Sequence, residues 1–188
     1  MSQNKPKVIF LGTSSVGKAS ILSALSGNIN INHKPTLFMG IIKVNDNING
    51  KSIDYLYCNT CGQDSVNAIL PMYIRGSKVA VLVYSVTDRA SFELIQHYMN
   101  IAKLNEKDLS FILVGNKIDL NERKIDYQEG CELADSLNLP FFETSAKDGT
   151  NISNLKKKIL LTLLENELEP IDSVPMIPSS NRGCMCNK

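Results

Sequence analysis

The run VAVLVYSV, Val79 to Val86, carries apolar and β-branched residues with no polar alternation. A strand wetted on one side alternates, whereas a continuous run fits a strand covered on both faces. Strands of that kind sit inside mostly parallel sheets with helices on either side. The rest of the chain follows the same logic. Short strands are predicted at Lys7–Leu11, Leu109–Val114 and Pro140–Phe142. Helices are predicted at Gly17–Leu25, Ser91–Leu104, Asp126–Leu137 and Ile152–Leu168, where apolar residues recur at helical spacing. Ile41–Val44 and Ile53–Cys58 flank the turn residues Asn47 to Gly50 and read as a hairpin. The expected fold is an α/β domain with a mostly parallel sheet, one antiparallel strand and helices on both faces.

Past Glu169 three prolines (Pro170, Pro175, Pro178) interrupt a polar stretch that holds no helix. The chain is thus expected to divide into a domain over residues 1–169 and a flexible tail over 170–188. A net charge of +1 gives no electrostatic case for nucleic acid as a partner. The apolar runs are too short for a membrane span, and MSQNKPKVIF lacks a signal-peptide pattern, so the cytosol is expected. Cys58 and Cys61 form a CxxC, but the two histidines, His33 and His97, lie at no ligand spacing from the cysteines. Zinc needs about four ligands, so a zinc or thiol-redox reading rests on the CxxC alone.

The first strand runs into GTSSVGKAS, Gly12 to Ser20. This follows the phosphate-loop pattern, glycine, four residues, then glycine and lysine. Gly12 allows a sharp turn and Gly17 a close backbone approach. The amides from Ser14, Ser15, Val16 and Gly17 into the helix start form an anion cradle, and Lys18 supplies charge to terminal phosphates. A glycine-rich turn with an incidental lysine would look the same in isolation, but two later stretches favour the ligand. NKID, Asn116 to Asp119, follows a buried strand. A carboxylate there can accept from two adjacent N–H groups of one ring edge, an edge guanine has and adenine lacks. Lys117 can lay its stem along the base face. ETSAK, Glu143 to Lys147, follows the next strand, with a backbone amide near Ala146 placed to donate to a guanine oxygen.

GTSSVGK, NTCGQD, NKID and ETSAK, in this order, resemble the small GTPases of the Ras superfamily. YIRGS (Tyr73–Ser77), LVYSVTD (Leu82–Asp88), Ser91-Phe92 and the terminal Cys-x-Cys resemble the Rab family within it. The resemblance spans Lys7 to about Leu168. It implies the P-loop small-GTPase fold with a six-stranded sheet, and a GTP/GDP-binding monomer that hydrolyses GTP and controls vesicle-mediated transport. By motif, Gly12, Ser14, Ser15, Val16, Gly17, Lys18, Ala19 and Ser20 surround the phosphates. Asn116, Lys117 and Asp119, with Ser145, Ala146 and Lys147, frame guanine. Thr36 falls at the switch threonine that senses γ-phosphate and magnesium, Gly62 at the amide donor to that phosphate, and Gln63 at the catalytic residue orienting water. Effectors, exchange factor and activating protein are expected along Thr36–Ile41 and Asn59–Arg75.

The sequence departs from that pattern around the metal. Ala19 replaces the Ser or Thr that ligates magnesium, Asn59 replaces the Asp that holds it through water, and Cys61 replaces an alanine. Magnesium prefers hard, often anionic oxygen in octahedral geometry. Ser20 does not substitute, because one helical residue turns a side chain by roughly 100°. Thr36 remains as a metal ligand, and weakened magnesium coordination and slow hydrolysis are expected. The alternative is a pseudo-GTPase scaffold that binds nucleotide weakly or without switching. Leu37 to Ile41 reads LFMGI where Rab proteins read close to IGVDF, and Cys58 stands where many carry tryptophan. Counting seven positions back from Thr36, where the family often stacks an aromatic on guanine, gives Ile29. Cys184 and Cys186 are expected to be lipidated. Met185 at the fourth position from the end excludes a CaaX box, and two prenyl chains anchor stably on the cytosolic face of membranes where one is marginal.

Overall fold

The computed structural model describes residues 5–27, 40–48, 50–60, 69–167 and 186–187. The chain order is β1 (Lys7–Leu11), α1 (Lys18–Ser26), β2 (Gly40–Ile48), β3 (Lys51–Asn59), α2 (Leu70–Ile74), β4 (Ser77–Ser85), α3 (Arg89–Glu93), α4 (Ile95–Asn105), β5 (Ser110–Asn116), α5 (Tyr127–Leu137), β6 (Phe141–Thr144), α6 (Ile152–Glu167) and β7 (Cys186–Asn187). The strands form one sheet in the order β2-β3-β1-β4-β5-β6-β7. Among the described residues only β2 runs antiparallel to its neighbour, β3, and every other pairing is parallel. Six strands carry the expected α/β small-GTPase fold. The seventh, β7, is two residues placed beside Phe141 and Phe142 on the outer edge of β6. The remainder of the tail after Glu167 lies outside the described residues.

β4 is buried along almost its whole length, as its uninterrupted apolar run requires. Successive side chains point to opposite faces, so the strands feed two cores. Val8, Phe10, Val79, Val81 and Val83 join a core closed by α1 and α6 through Leu22, Leu155 and Ile159. Ile9, Leu11, Ala80, Leu82 and Tyr84 join a core on the opposite face, closed by Ile74, Met99 and Cys131. Burying one large aliphatic side chain contributes about 1.5–3 kcal/mol, and β1 and β4 are packed between these two layers up to their C-terminal ends.

The helices have physical stops. α1 ends at Gly27 in a left-handed conformation, φ 68°. α5 begins with a capping box in which Asp126 and Glu129 satisfy each other's backbone amides. The predicted helix over 91–104 is two pieces, α3 and α4, meeting at Leu94. The hairpin strands extend past the predicted ones, in register from Gly40 opposite Asn59 to Ile48 opposite Lys51. The short α2 was not expected, and Lys7 on β1 caps it: Nζ donates to the Tyr73 and Arg75 carbonyls, each at 2.6 Å. Burial pulls the Lys7 ammonium below its ordinary range, opposed by Cys58 and Glu106.

Candidate functional site

The turn from β1 into α1 is built on two glycines. Gly12 (φ 145°) passes so close to β4 that a Cβ there would lie 2.1 Å from the Val83 carbonyl oxygen. Gly17 (φ 97°) passes close to β5, and a Cβ would lie 2.2 Å from Asn116 Nδ2. Between them Ser15 is also left-handed, φ 63°. Ser14 and Ser15 are exposed, while Val16 is 1% exposed and plugs the loop into the core. Lys18, 6% exposed, folds back so that Nζ donates to the carbonyls of Gly12 and Thr13, both at 2.7 Å. Gly17 is the N-cap of α1 and offers no side-chain cap. The first backbone bond of α1 runs from the Ile21 amide to the Gly17 carbonyl at 2.9 Å, and a helix start of this kind suits an anion.

Asn116 ties this loop to the other two. It is 2% exposed at the C-terminal end of β5. Nδ2 donates to the Val16 carbonyl at 2.9 Å. Oδ1 accepts from Thr144 Oγ1 at 3.2 Å and from the Ala146 amide at 3.3 Å. The Ala146 amide, expected to face a base, thus points at Asn116 here. Lys117 adopts the left-handed region, φ 71°, so the chain turns sharply after Asn116. Asp119 then reaches the third loop: Oδ1 accepts from Ser145 Oγ at 2.9 Å, and Oδ2 lies 3.7 Å from Lys147 Nζ. Ser145 is buried and Lys147 largely exposed. The structure thus gathers the predicted residues of 12–18, 116–119 and 145–147 at one end of the sheet.

Asn59 ends β3 beside Phe10 of β1 and is 7% exposed. Next to it Thr60 Oγ1 donates to the Phe10 carbonyl at 2.7 Å, fixing the end of this segment against β1. Ala19 and Ser20 are half-buried in the first turn of α1. Thr36, Gly62, Gln63, Ile29, Cys61 and Cys184 lie outside the described residues. Cys58 is fully buried beside Ile9, and burial pushes its thiol up to about 11. Among the described residues no three His, Cys, Asp or Glu side chains come together to hold a metal ion. No helix among them is long and apolar enough to cross a membrane.

Two contacts at the site carry no sequence signal of their own. Thr144 buttresses Asn116. Arg123 grips Glu143 with both nitrogens, Nη1 to Oε1 at 2.6 Å and Nη2 to Oε2 at 2.9 Å. Their positions become meaningful only once β5 and β6 are side by side.

A glycine-turned loop after the first strand, joined through Asn116 to loops at the ends of two further strands, is the arrangement of a P-loop nucleotide-binding protein. The Ras family model matches residues 7–165, and the chain belongs to that family of small GTPases. Its relatives place it with the Rab proteins. It is 33% identical over 163 residues to the Ras-related protein RABA5e of Arabidopsis thaliana, covering 85% of this chain and 75% of that protein. It is 31% identical over 201 residues to Ras-related protein Rab-21 of Canis lupus familiaris, covering 95% and 90%. The Rab-21 of Geodia cydonium is 34% identical over 165 residues, covering 86% and 72%. Guanine-nucleotide binding and GTP hydrolysis are the general chemistry of this family.

Proposed function

We propose that this protein is a Rab-like switch in vesicle-mediated membrane transport, with an intact nucleotide grip, a weakened magnesium seat and slow GTP hydrolysis. The observation that carries the reading is the Asn116 junction, which unites the phosphate loop with both base-framing loops. Asp119 presents its carboxylate beside Ser145 and Lys147, suited to the paired N–H groups of guanine. Lys18 and the N-terminus of α1, which has no side-chain cap, suit the phosphates. The metal seat fits less well. Position 19 offers a methyl group instead of an oxygen, and Asn59 offers a neutral carboxamide instead of a charge. Of the family's side-chain ligands only Thr36 remains.

Within the family's effector stretches Ile41, Ile69 and Met72 are 53%, 43% and 64% exposed. Apolar side chains held in water there support protein partners at 36–41 and 59–75. Lipid chains on Cys184 and Cys186 would hold the monomer on the cytosolic face of a membrane. The two losses at the metal also favour a second reading, a pseudo-GTPase scaffold, against which Thr36 and Gln63 argue.

The deciding measurement is the nucleotide retained on purification and its release rate with magnesium and with chelator. Retained GDP, released with less than about tenfold sensitivity to chelator, is expected; each lost ligand interaction is worth roughly a factor of ten or more in metal affinity. Slowing of release by magnesium over orders of magnitude would remove the weak-seat reading. Single-turnover hydrolysis with and without an activating protein separates the slow switch, which turns over, from the scaffold, which does not. Mass spectrometry of protein from its native cell is expected to find two prenyl groups, and unmodified thiols would strike the anchor from the proposal.

A further inference from the structure

We infer that the Arg123–Glu143 ion pair is a positioning clamp for base selectivity, fixing the loop that carries Asp119 against the loop that carries Ser145 to Lys147. The inference rests on the reading that those two loops frame guanine. Arg123 stands four residues after Asp119, and Glu143 two residues before Ser145. The pair therefore spans the two loops immediately beside the groups that would meet the base. Its geometry is a two-pronged fork, with one nitrogen on each carboxylate oxygen. Such a fork fixes both distance and orientation, which a lysine point charge does not.

The surroundings make the fork a brace rather than a surface decoration. The Glu143 side chain is 10% exposed and that of Arg123 30%. Arg123 Nη1 also donates to the Ile125 carbonyl at 3.1 Å, tying the fork into its own loop. The Glu143 carbonyl accepts from Asn151 Nδ2 at 2.8 Å, which anchors the other side to the start of α6. Residues 117–126 contain no helix or strand. Their far end is held by the amides of Lys124 and Ile125 on the Val86 carbonyl. Near Asp119 the direct backbone tie to the opposite loop is long, from the Ile118 amide to the Thr144 carbonyl at 3.3 Å.

Net stability is a poor account of this pair. Desolvating a carboxylate offsets much of the Coulomb gain, and such pairs are often replaceable by apolar residues of similar volume. Geometry is a better one. Asp119 can read two N–H groups of one ring edge only if its carboxylate is aimed correctly, and its aim is shared with Ser145 across the gap that the fork sets. Misplacement of a recognition group by a fraction of an ångström lowers discrimination before it unfolds the protein.

The test compares GDP with IDP, whose hypoxanthine lacks the 2-amino group, on the full chain. In Arg123→Met/Glu143→Met no charge is left unpaired. The GDP-over-IDP preference is expected to fall about tenfold in this variant, the scale of one misaligned hydrogen bond to a charged group. Its thermal midpoint is expected to move by only a few degrees. Arg123→Lys, which keeps the charge and loses the fork, is expected to lose preference by several-fold, and it decides the matter if the double variant does not fold. A preference within twofold of wild type in the folded variants, whatever their midpoints, overturns the clamp and leaves the pair purely structural. A wild-type protein with no preference for GDP over IDP instead overturns the base-frame reading beneath it.

Discussion

Gly17 turns at φ 97° with its α-carbon against the Asn116 amide. Two independent constraints meet at this residue. The left-handed backbone disfavours any side chain, and the Asn116 Nδ2 that would collide with a Cβ is the same atom that bonds Val16. Gly17→Ala is therefore expected to push Asn116 away and break the junction of the three loops. Leaving a buried amide and carbonyl unsatisfied costs about 1–3 kcal/mol, with backbone strain of similar size added. We expect loss of stability by urea unfolding of about 2–4 kcal/mol and a fall in GDP affinity of at least a hundredfold. An unchanged GDP affinity by calorimetry would mean that the loop does not cradle phosphate. The contiguous motifs made Gly17, Lys18, Asn116 and Asp119 legible in the sequence, because each announces its chemistry in its own few residues. Thr144 as a buttress and Arg123 as a clamp were not legible, because each acts on a partner brought near by strand pairing alone.

The elements differ in how plainly they were written. β4 and β5 were legible as uninterrupted apolar runs, since burial on both faces leaves no room for polar residues. The ends of the hairpin were not, because β2 beyond Val44 is carried by Asn45, Asp46 and Asn47, held by backbone pairing with β3. α2 spans five residues, too few to show a helical period, and β7 is shorter still. α5 was legible, and its start carries a pH-sensitive device. Arg89 grips the Glu129 carboxylate while the Asp126 amide donates to it at 3.0 Å. Those bonds, led by Arg89, hold Glu129 down to about 2 from an ordinary value of 4.5. A carboxyl lowered on folding adds stability above its unfolded value, and that stability is lost as pH falls toward the folded value. Wild-type protein is thus expected to weaken between about pH 4.5 and 2 more steeply than Glu129→Gln. The pair is exposed, so solvent screening keeps the difference modest. Parallel slopes of the urea midpoint against pH in the two proteins would show that Glu129 contributes nothing.

At the scale of the molecule, the site sits at the C-terminal ends of β1, β5 and β6. β1 is the strand at which the order turns, with β3 on one side and β4 on the other. A ligand in the crevice there touches elements from the first, middle and last thirds of the chain, so binding and global stability are linked. GDP at a hundred times its dissociation constant adds about 2.7 kcal/mol. For a domain of this size that raises the unfolding midpoint by about 5–10 °C. In the wild-type protein this rise is expected to survive chelator almost unchanged if the proposed weak seat holds, since position 19 carries no oxygen and position 59 no charge. Ala19→Ser/Asn59→Asp returns one hydroxyl, in the first turn of α1, and one charge, at the end of β3. In that variant chelator is expected to remove several degrees of the GDP-dependent rise and to speed GDP release at least tenfold more than in wild type. Equal chelator sensitivity in the two proteins would mean that phosphate oxygens and Thr36 already hold the metal, and that positions 19 and 59 do not set its affinity.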